Sequence, residues 1–166
     1  MDAFLALVND LLKEVYWNIL KVQEDFVQRI GRADISMGEM HIIEIVGNSM
    51  VTTADGQLAC EGSMNGCRIS DIAAEMGITL PSVTVAINKL IKKNCVTKVR
   101  SVDDARCVLA VLTDFGMEIY QRHQRFHHKM IDDVTDALDD CEKAVMLKCF
   151  SRLNTFFKEK IIQESK

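Results

Sequence analysis

Apolar residues recur at steps of three and four over Phe4, Leu7, Val8, Leu11, Leu12, Val15, Ile19, Leu20, Phe26 and Ile30. That spacing lines one face of an α-helix and predicts a long amphipathic helix that stops at Gly31. Ser36 stands three residues before Glu39, the capping-box spacing in which each side chain bonds the other residue's backbone N–H, and Met40, Ile43 and Val46 carry a shorter helix to Gly47. The stretch from Gly47 to Cys67 then holds four of the eight glycines and the turn dipeptides Asp55-Gly56 and Asn65-Gly66. It reads as an irregular loop over 47–68, with a small hairpin between Val51 and Leu58 closed by Asp55-Gly56.

The second half alternates differently. Ile69 to Met76 predicts a short helix, Gly77-Ile78 a turn, and Thr79 the cap of a second helix from Pro81 to Lys93, with the chain's one proline in its first turn. Val96 to Arg100 and Cys107 to Leu112 are β-branched or apolar runs around a polar tip, Ser101 to Arg106, and predict a hairpin. Thr113 caps a long helix from Asp114 to about Leu138. A last helix runs from about Asp140 to Ile162 on the stripe Val145, Phe150, Leu153, Phe156, Phe157 and Ile161.

The chain's 166 residues suit one compact core, and 48% hydrophobic with 27% charged residues is the balance of a globular protein. No uncharged run reaches membrane-spanning length, and the start of the chain has no basic leader or small-residue cleavage site, so a cytoplasmic protein without a membrane partner is expected. Six cysteines without a CxxC pair read as free thiols. Cys95, Cys107, Cys141 and Cys149 lie among apolar neighbours and are expected to be buried, while Cys60 and Cys67 fall in the glycine-rich loop. The net charge of −4 opposes a nucleic-acid partner, but its distribution does not. From Gly77 to Val102 there is no acidic residue, whereas Lys89, Lys92, Lys93, Lys98 and Arg100 all lie there.

Ile72, Ala73, Met76, Gly77, Ile78, Val83 and Ala86 have the spacing of a helix-turn-helix, in which a small residue lets two helices cross closely. In its second helix Val83, Ile87, Leu90 and Ile91 share an inward face. Ser82, Thr84, Val85, Asn88, Lys89 and Lys92 then point outward, a set suited to a DNA groove: hydroxyls and amide for base edges or phosphates, Val85 for a thymine methyl, lysines for backbone charge. The hairpin that follows adds Lys98, Arg100, Asp104 and Arg106, with arginines able to enter a minor groove. The expected fold is mainly α with a small β wing. A winged helix-turn-helix lobe over 69–112 joins long N- and C-terminal helices, 1–46 and 113–166, in one intertwined domain.

The run IAAEMGITLPSVTVAINKLIKKNCVTKVRSVDDARCVLAVLTDFG resembles the DNA-binding lobe of the MarR family of transcriptional regulators. Its wing signature Asp-x-Arg appears as Asp104-Ala105-Arg106, and the Leu-Thr-x-x-Gly that opens the next helix as Leu112-Thr113-Asp114-Phe115-Gly116. The resemblance implies that Arg106 contacts DNA, that Asp104 orients basic side chains, and that the end helices build a dimer. Two departures stand out: Cys95 takes the place where glycine is common after the recognition helix, and the 47–67 loop is long. Dimerisation is expected on physical grounds too, because one small lobe cannot cover the apolar stripes of all the end helices. A two-fold dimer calls for a pseudo-palindromic operator in double-stranded DNA, with half-sites about one helical turn apart.

For the effector two resemblances stay open. EMHIIEIVG, ITLPSVTVAINKL and RFHHKMI look like the MarR-type repressors of fatty-acid synthesis in Gram-positive bacteria, which implies acyl chains on acyl carrier protein, or a small lipid-like molecule. Glu24, His41, His123 and His127 resemble the metal set of zinc-responsive MarR repressors, and His123 and His127, four apart, share one face of their helix. The same residues also read as a hydrogen-bonded polar cluster or part of a ligand pocket, the reading the sequence favours over a working metal site. A zinc-dependent hydrolase would have to use that set, and no nucleophile elbow, phosphate loop or dinucleotide fingerprint supports an enzyme. An adaptor that binds only protein would not need the cations on the outward face.

Overall fold

The computed structural model describes residues 2–29, 35–51, 66–101 and 107–164, with all their side chains except those of residues 24, 27–29, 51 and 161–164. Six helices and three strands follow in the order α1 (Ala3–Arg29), α2 (Met37–Val51), β1 (Cys67–Arg68), α3 (Ile69–Met76), α4 (Leu80–Lys92), β2 (Val96–Arg100), β3 (Val108–Leu112), α5 (Asp114–Thr135) and α6 (Asp140–Glu164). The mainly helical fold with a small wing read from the sequence is therefore the fold observed. Two compact units divide the chain, residues 1–121 and 122–166.

In the first unit, the core gathers around α2. Met40, Ile42, Ile43, Ile45 and Val46 are all buried, so this helix is covered on several sides rather than on one stripe. Its start is the expected capping box: the Ser36 backbone N–H donates to Glu39 Oε2 at 2.7 Å and the Glu39 N–H to Ser36 Oγ at 3.3 Å. The helix does not stop at Gly47 but runs one turn further. Gly47 serves close packing there, because a Cβ would overlap the Tyr120 ring. The extra turn brings Met50 Sδ to accept the Leu112 N–H at 3.2 Å. The hairpin expected over 51–58 lies outside the described residues, apart from Val51 in the last turn of α2.

Helix α3 occupies the predicted residues and buries Ile72 and Ala73. It ends on Gly77 in the left-handed region (φ 65°, ψ 27°), whose N–H, with that of Ile78, returns to the last carbonyls of the helix. Thr79 caps α4 through the Ser82 N–H, and Val83, Ile87 and Leu90 fill the space toward α2 and α3. Ile91, expected in that core, is 37% exposed, since it sits a quarter-turn beyond Leu90 at the edge of the buried stripe. After α4 the left-handed turn falls on Asn94 (φ 57°), which tolerates it, and the Cys95 N–H bonds the Leu90 carbonyl at 2.9 Å. The special backbone position is therefore one residue before Cys95, which needs no glycine and is buried.

β2 and β3 pair antiparallel from Val96 opposite Leu112 to Arg100 opposite Val108, and the Ser101 N–H extends the ladder to the Cys107 carbonyl. The two-residue strand β1, unread in the sequence, pairs with the other edge of β3, Cys67 opposite Ala110 and Arg68 opposite Leu109. The sheet order is thus β1-β3-β2. The second unit comprises the rest of α5 and α6. Asp139 caps α6 by accepting the Glu142 N–H at 2.8 Å, and its own N–H donates to Glu142 Oε2 at 3.0 Å.

Candidate nucleic-acid interface

Burying Val83, Ile87 and Leu90 fixes which face α4 turns outward. Ser82, Val85, Asn88, Lys89 and Lys92 are exposed along it and Thr84 is half-buried. Val85 is 56% exposed, a large apolar side chain with nothing over it in the single chain. Lys89 and Lys92 occupy the last turn, where the helix dipole favours cations. On β2 beside it Lys98 and Arg100 are exposed as well. Lys98 reaches across to α4, its Nζ donating to Asn88 Oδ1 at 2.9 Å. Two hydroxyls of the set are engaged locally: Ser82 Oγ lies 2.9 Å from Thr79 Oγ1, and Thr84 Oγ1 donates to the Leu80 carbonyl at 2.9 Å. Asp104 and Arg106 lie outside the described residues.

One cation of the basic window is turned inward. Lys93, the C-cap of α4, places Nζ 2.7 Å from Glu39 Oε2, and the two side chains are 25% and 6% exposed. Burial by itself raises the Glu39 carboxyl, but the Lys93 ammonium and the Ser36 N–H together outweigh it and hold the group below its ordinary value. The sequence showed Glu39 only as the partner of Ser36. Its second bond, to a residue 54 positions away, had no local signal.

The start of α5 is tied to the rest of the first unit at two places. Thr113 Oγ1 donates to the Asn94 carbonyl at 2.6 Å and accepts the Gly116 N–H, while the Thr113 N–H donates to the Cys95 carbonyl. Tyr120 is buried and donates its hydroxyl to Asn48 Oδ1 at 2.8 Å, and burial, followed by the Glu44 charge, pushes that phenol up.

Among the sensing candidates, His123 and His127 come together. Their Nε2 atoms are 3.3 Å apart and their rings meet edge-on at 4.5 Å, with His123 buried. His41 is on α2 with its side chain 54% exposed and Nδ1 3.4 Å from Glu44 Oε2. The side chain of Glu24 is outside the described set. The cysteines differ from expectation: Cys95 is buried and Cys107 half-buried, but Cys141 and Cys149 are exposed on α6. Cys67 is buried at β1, and burial first of all pushes the thiols of both Cys67 and Cys95 up, away from the reactive thiolate.

Two helices crossing at a glycine turn, the second followed by an antiparallel wing, define a winged helix-turn-helix protein. Residues 56–108 match the model of the MarR family. The structure of Streptococcus pneumoniae FabT in complex with DNA superposes with a TM-score of 0.74 at 30% identity, covering 93% of this chain and 97% of that one. A MarR family protein from Bacillus stearothermophilus shares the fold at a TM-score of 0.65 and 14% identity, over 95% of this chain and 98% of its own. YpoP of Bacillus subtilis (strain 168), an uncharacterized HTH-type transcriptional regulator, is 22% identical over 87 residues, 52% of this chain and 62% of its own length. The chain therefore spans about three fifths of YpoP. It belongs to the MarR family of transcriptional regulators, as its sequence led one to expect, and that is a family of regulators rather than enzymes. No described helix is long and apolar enough to cross a membrane.

Proposed function

We propose that the chain is a homodimeric repressor that binds double-stranded DNA at a pseudo-palindromic operator, with α4 in the major groove and the wing, including Asp104 and Arg106, along the adjacent minor groove. The observation that carries this reading is the outward face of α4 together with β2: Val85, Asn88, Lys89, Lys92, Lys98 and Arg100 are exposed side by side in a stretch with no acidic residue. Such a face attracts phosphate even on a chain of net charge −4. FabT, the 30%-identical relative, was crystallised with DNA.

The test is a duplex selected by the wild-type protein from a random pool. Lys89→Gln and Lys92→Gln should each weaken binding at every sequence and lower the slope of log affinity against log salt by about 1. Selection that enriches no duplex, or variants that bind as wild type does, would overturn the reading.

An acyl chain on its carrier protein is the effector we favour, from the resemblance of EMHIIEIVG and RFHHKMI to the fatty-acid-synthesis repressors. A hollow of about 520 Å³ lined by Val134, Leu138, Cys141, Val145 and Met146 offers apolar walls in the second unit. Zinc is the second reading, favoured by the histidine pair. Two nitrogens at about 2.0–2.1 Å from one tetrahedral ion stand about 3.3 Å apart, and the Nε2 atoms of His123 and His127 are 3.3 Å apart. The same binding assay, with acylated carrier protein or with zinc added, separates the two, and the effector is the one that changes operator affinity.

A further inference from the structure

The face that α4 turns outward holds fewer available donors than its sequence lists. Ser82 Oγ is paired with the Thr79 cap, and Thr84 Oγ1 gives its proton to the Leu80 carbonyl, so both hydroxyls are turned to their own helix. Asn88 differs. Its Oδ1 accepts from Lys98 Nζ at 2.9 Å. An ammonium has donors only, so the amide atom facing Lys98 must be the oxygen, and the usual ambiguity between the two ends of an asparagine amide is settled by its partner's chemistry. The NH₂ end of the planar amide is then turned away from β2. Thr84 lies one turn before Asn88 on this face and Lys92 one turn after, so the amide stands mid-row.

We infer that Lys98 holds the Asn88 amide as a donor head, and that Asn88 thereby reads a hydrogen-bond acceptor on a base edge in the major groove: a purine N7, guanine O6 or thymine O4. The inference rests on the DNA-binding reading above and deepens it. An unrestrained asparagine offers donor and acceptor together and pairs with the N6 and N7 of adenine. With the oxygen held toward β2 the donors lead. Cytosine, which shows only its N4 donor in that groove, gives this amide nothing to bind. Asn88 is the contacting residue and Lys98 a positioning residue.

The experiment uses the full chain and the duplex it selects, with every half-site position replaced in turn by the other three bases. At one position of each half-site, cytosine should weaken wild-type binding about five- to tenfold, the value of one hydrogen bond. Asn88→Ala should bind all four bases there alike, with its salt slope unchanged because the amide is neutral. Lys98→Met, which frees the amide to offer donor and acceptor together, should shift the preference at that position to adenine while Asn88 is still present, and Lys98→Arg, which keeps a donor toward Oδ1, should restore the wild-type preference. A loss of charge alone would lower affinity at all bases equally and leave the preference intact. If Asn88→Ala weakens binding without altering any base preference, the amide meets a phosphate oxygen and the inference falls. It falls equally if Lys98→Met keeps the preference. In both cases the wild type still binds its selected duplex. Failure to enrich any duplex would instead sink the DNA-binding reading itself.

Discussion

Glu39 joins α2 to the lobe through one carboxylate, closing the cap of α2 and holding Lys93 at the end of α4. Removing the ammonium strands a buried charge, a larger loss than the net worth of the pair. Lys93→Met should therefore cost about 3 kcal/mol, toward the low end for a broken buried pair because the lysine keeps some exposure. The pH dependence has a definite sign. The folded carboxyl titrates below its unfolded value, so its stabilisation is fully present above an unfolded pKa of about 4.3 and is lost as pH falls through the lower folded value. In Lys93→Met burial is opposed only by Ser36 and the folded value moves up, so the variant loses less stability than wild type as pH falls. Urea midpoints between about pH 6 and pH 3 should show the gap between wild type and variant narrowing as pH falls. Parallel curves for the two proteins would mean that the pair contributes nothing.

Elements whose residues signal locally were legible in the sequence. α3, β2, the Thr79 cap and the Ser36–Glu39 box rest on periodicity or on spacings of three, and each is found at its predicted residues. What depends on a distant partner was not legible. Gly47 sits inside α2 to make room for a tyrosine 73 positions on, β1 exists only as an edge for β3, and Ile91 is exposed because the buried stripe is narrower than the helix pattern implied. Along α4 the residue types of the binding face could be read off, but the orientation of Asn88 could not, since it is set by Lys98 across a turn. The start of α5 shows both kinds of signal. Thr113 is readable as a cap, yet its hydroxyl also donates to the Asn94 carbonyl at the end of the recognition helix. Thr113→Ala should accordingly cost about 1–2 kcal/mol, a cap plus part of a second hydrogen bond, and Thr113→Ser should recover most of it. The comparison is made at constant m-value in urea, and a cost under about 0.3 kcal/mol would show the cap to be idle.

Among the described residues, much apolar surface is exposed to solvent. On α1, Phe4, Leu7, Leu11 and Trp17 are exposed, and on α6 Leu147, Phe150, Phe156 and Phe157 are exposed. Scattered apolar residues at a surface are ordinary, but runs of them along both end helices are what an interface looks like before its partner is in place. The homodimer proposed above would cover these stripes, since a closed two-fold dimer covers the same stripes on both chains and sets two recognition helices on one side of a duplex. At micromolar concentration the protein should therefore sediment at twice the chain mass. Leu11→Glu and Phe150→Glu each bury a charge if their helix is in the interface, so each should shift the equilibrium toward monomer by at least about tenfold. The circular dichroism of the lobe should persist, since neither side chain belongs to its core. Binding to the selected operator should weaken with dimerisation, because two half-sites held together gain an effective concentration that a single lobe lacks. A chain that sediments as a monomer while binding the operator as tightly as before would remove the dimer from the mechanism and leave each lobe to read its half-site alone.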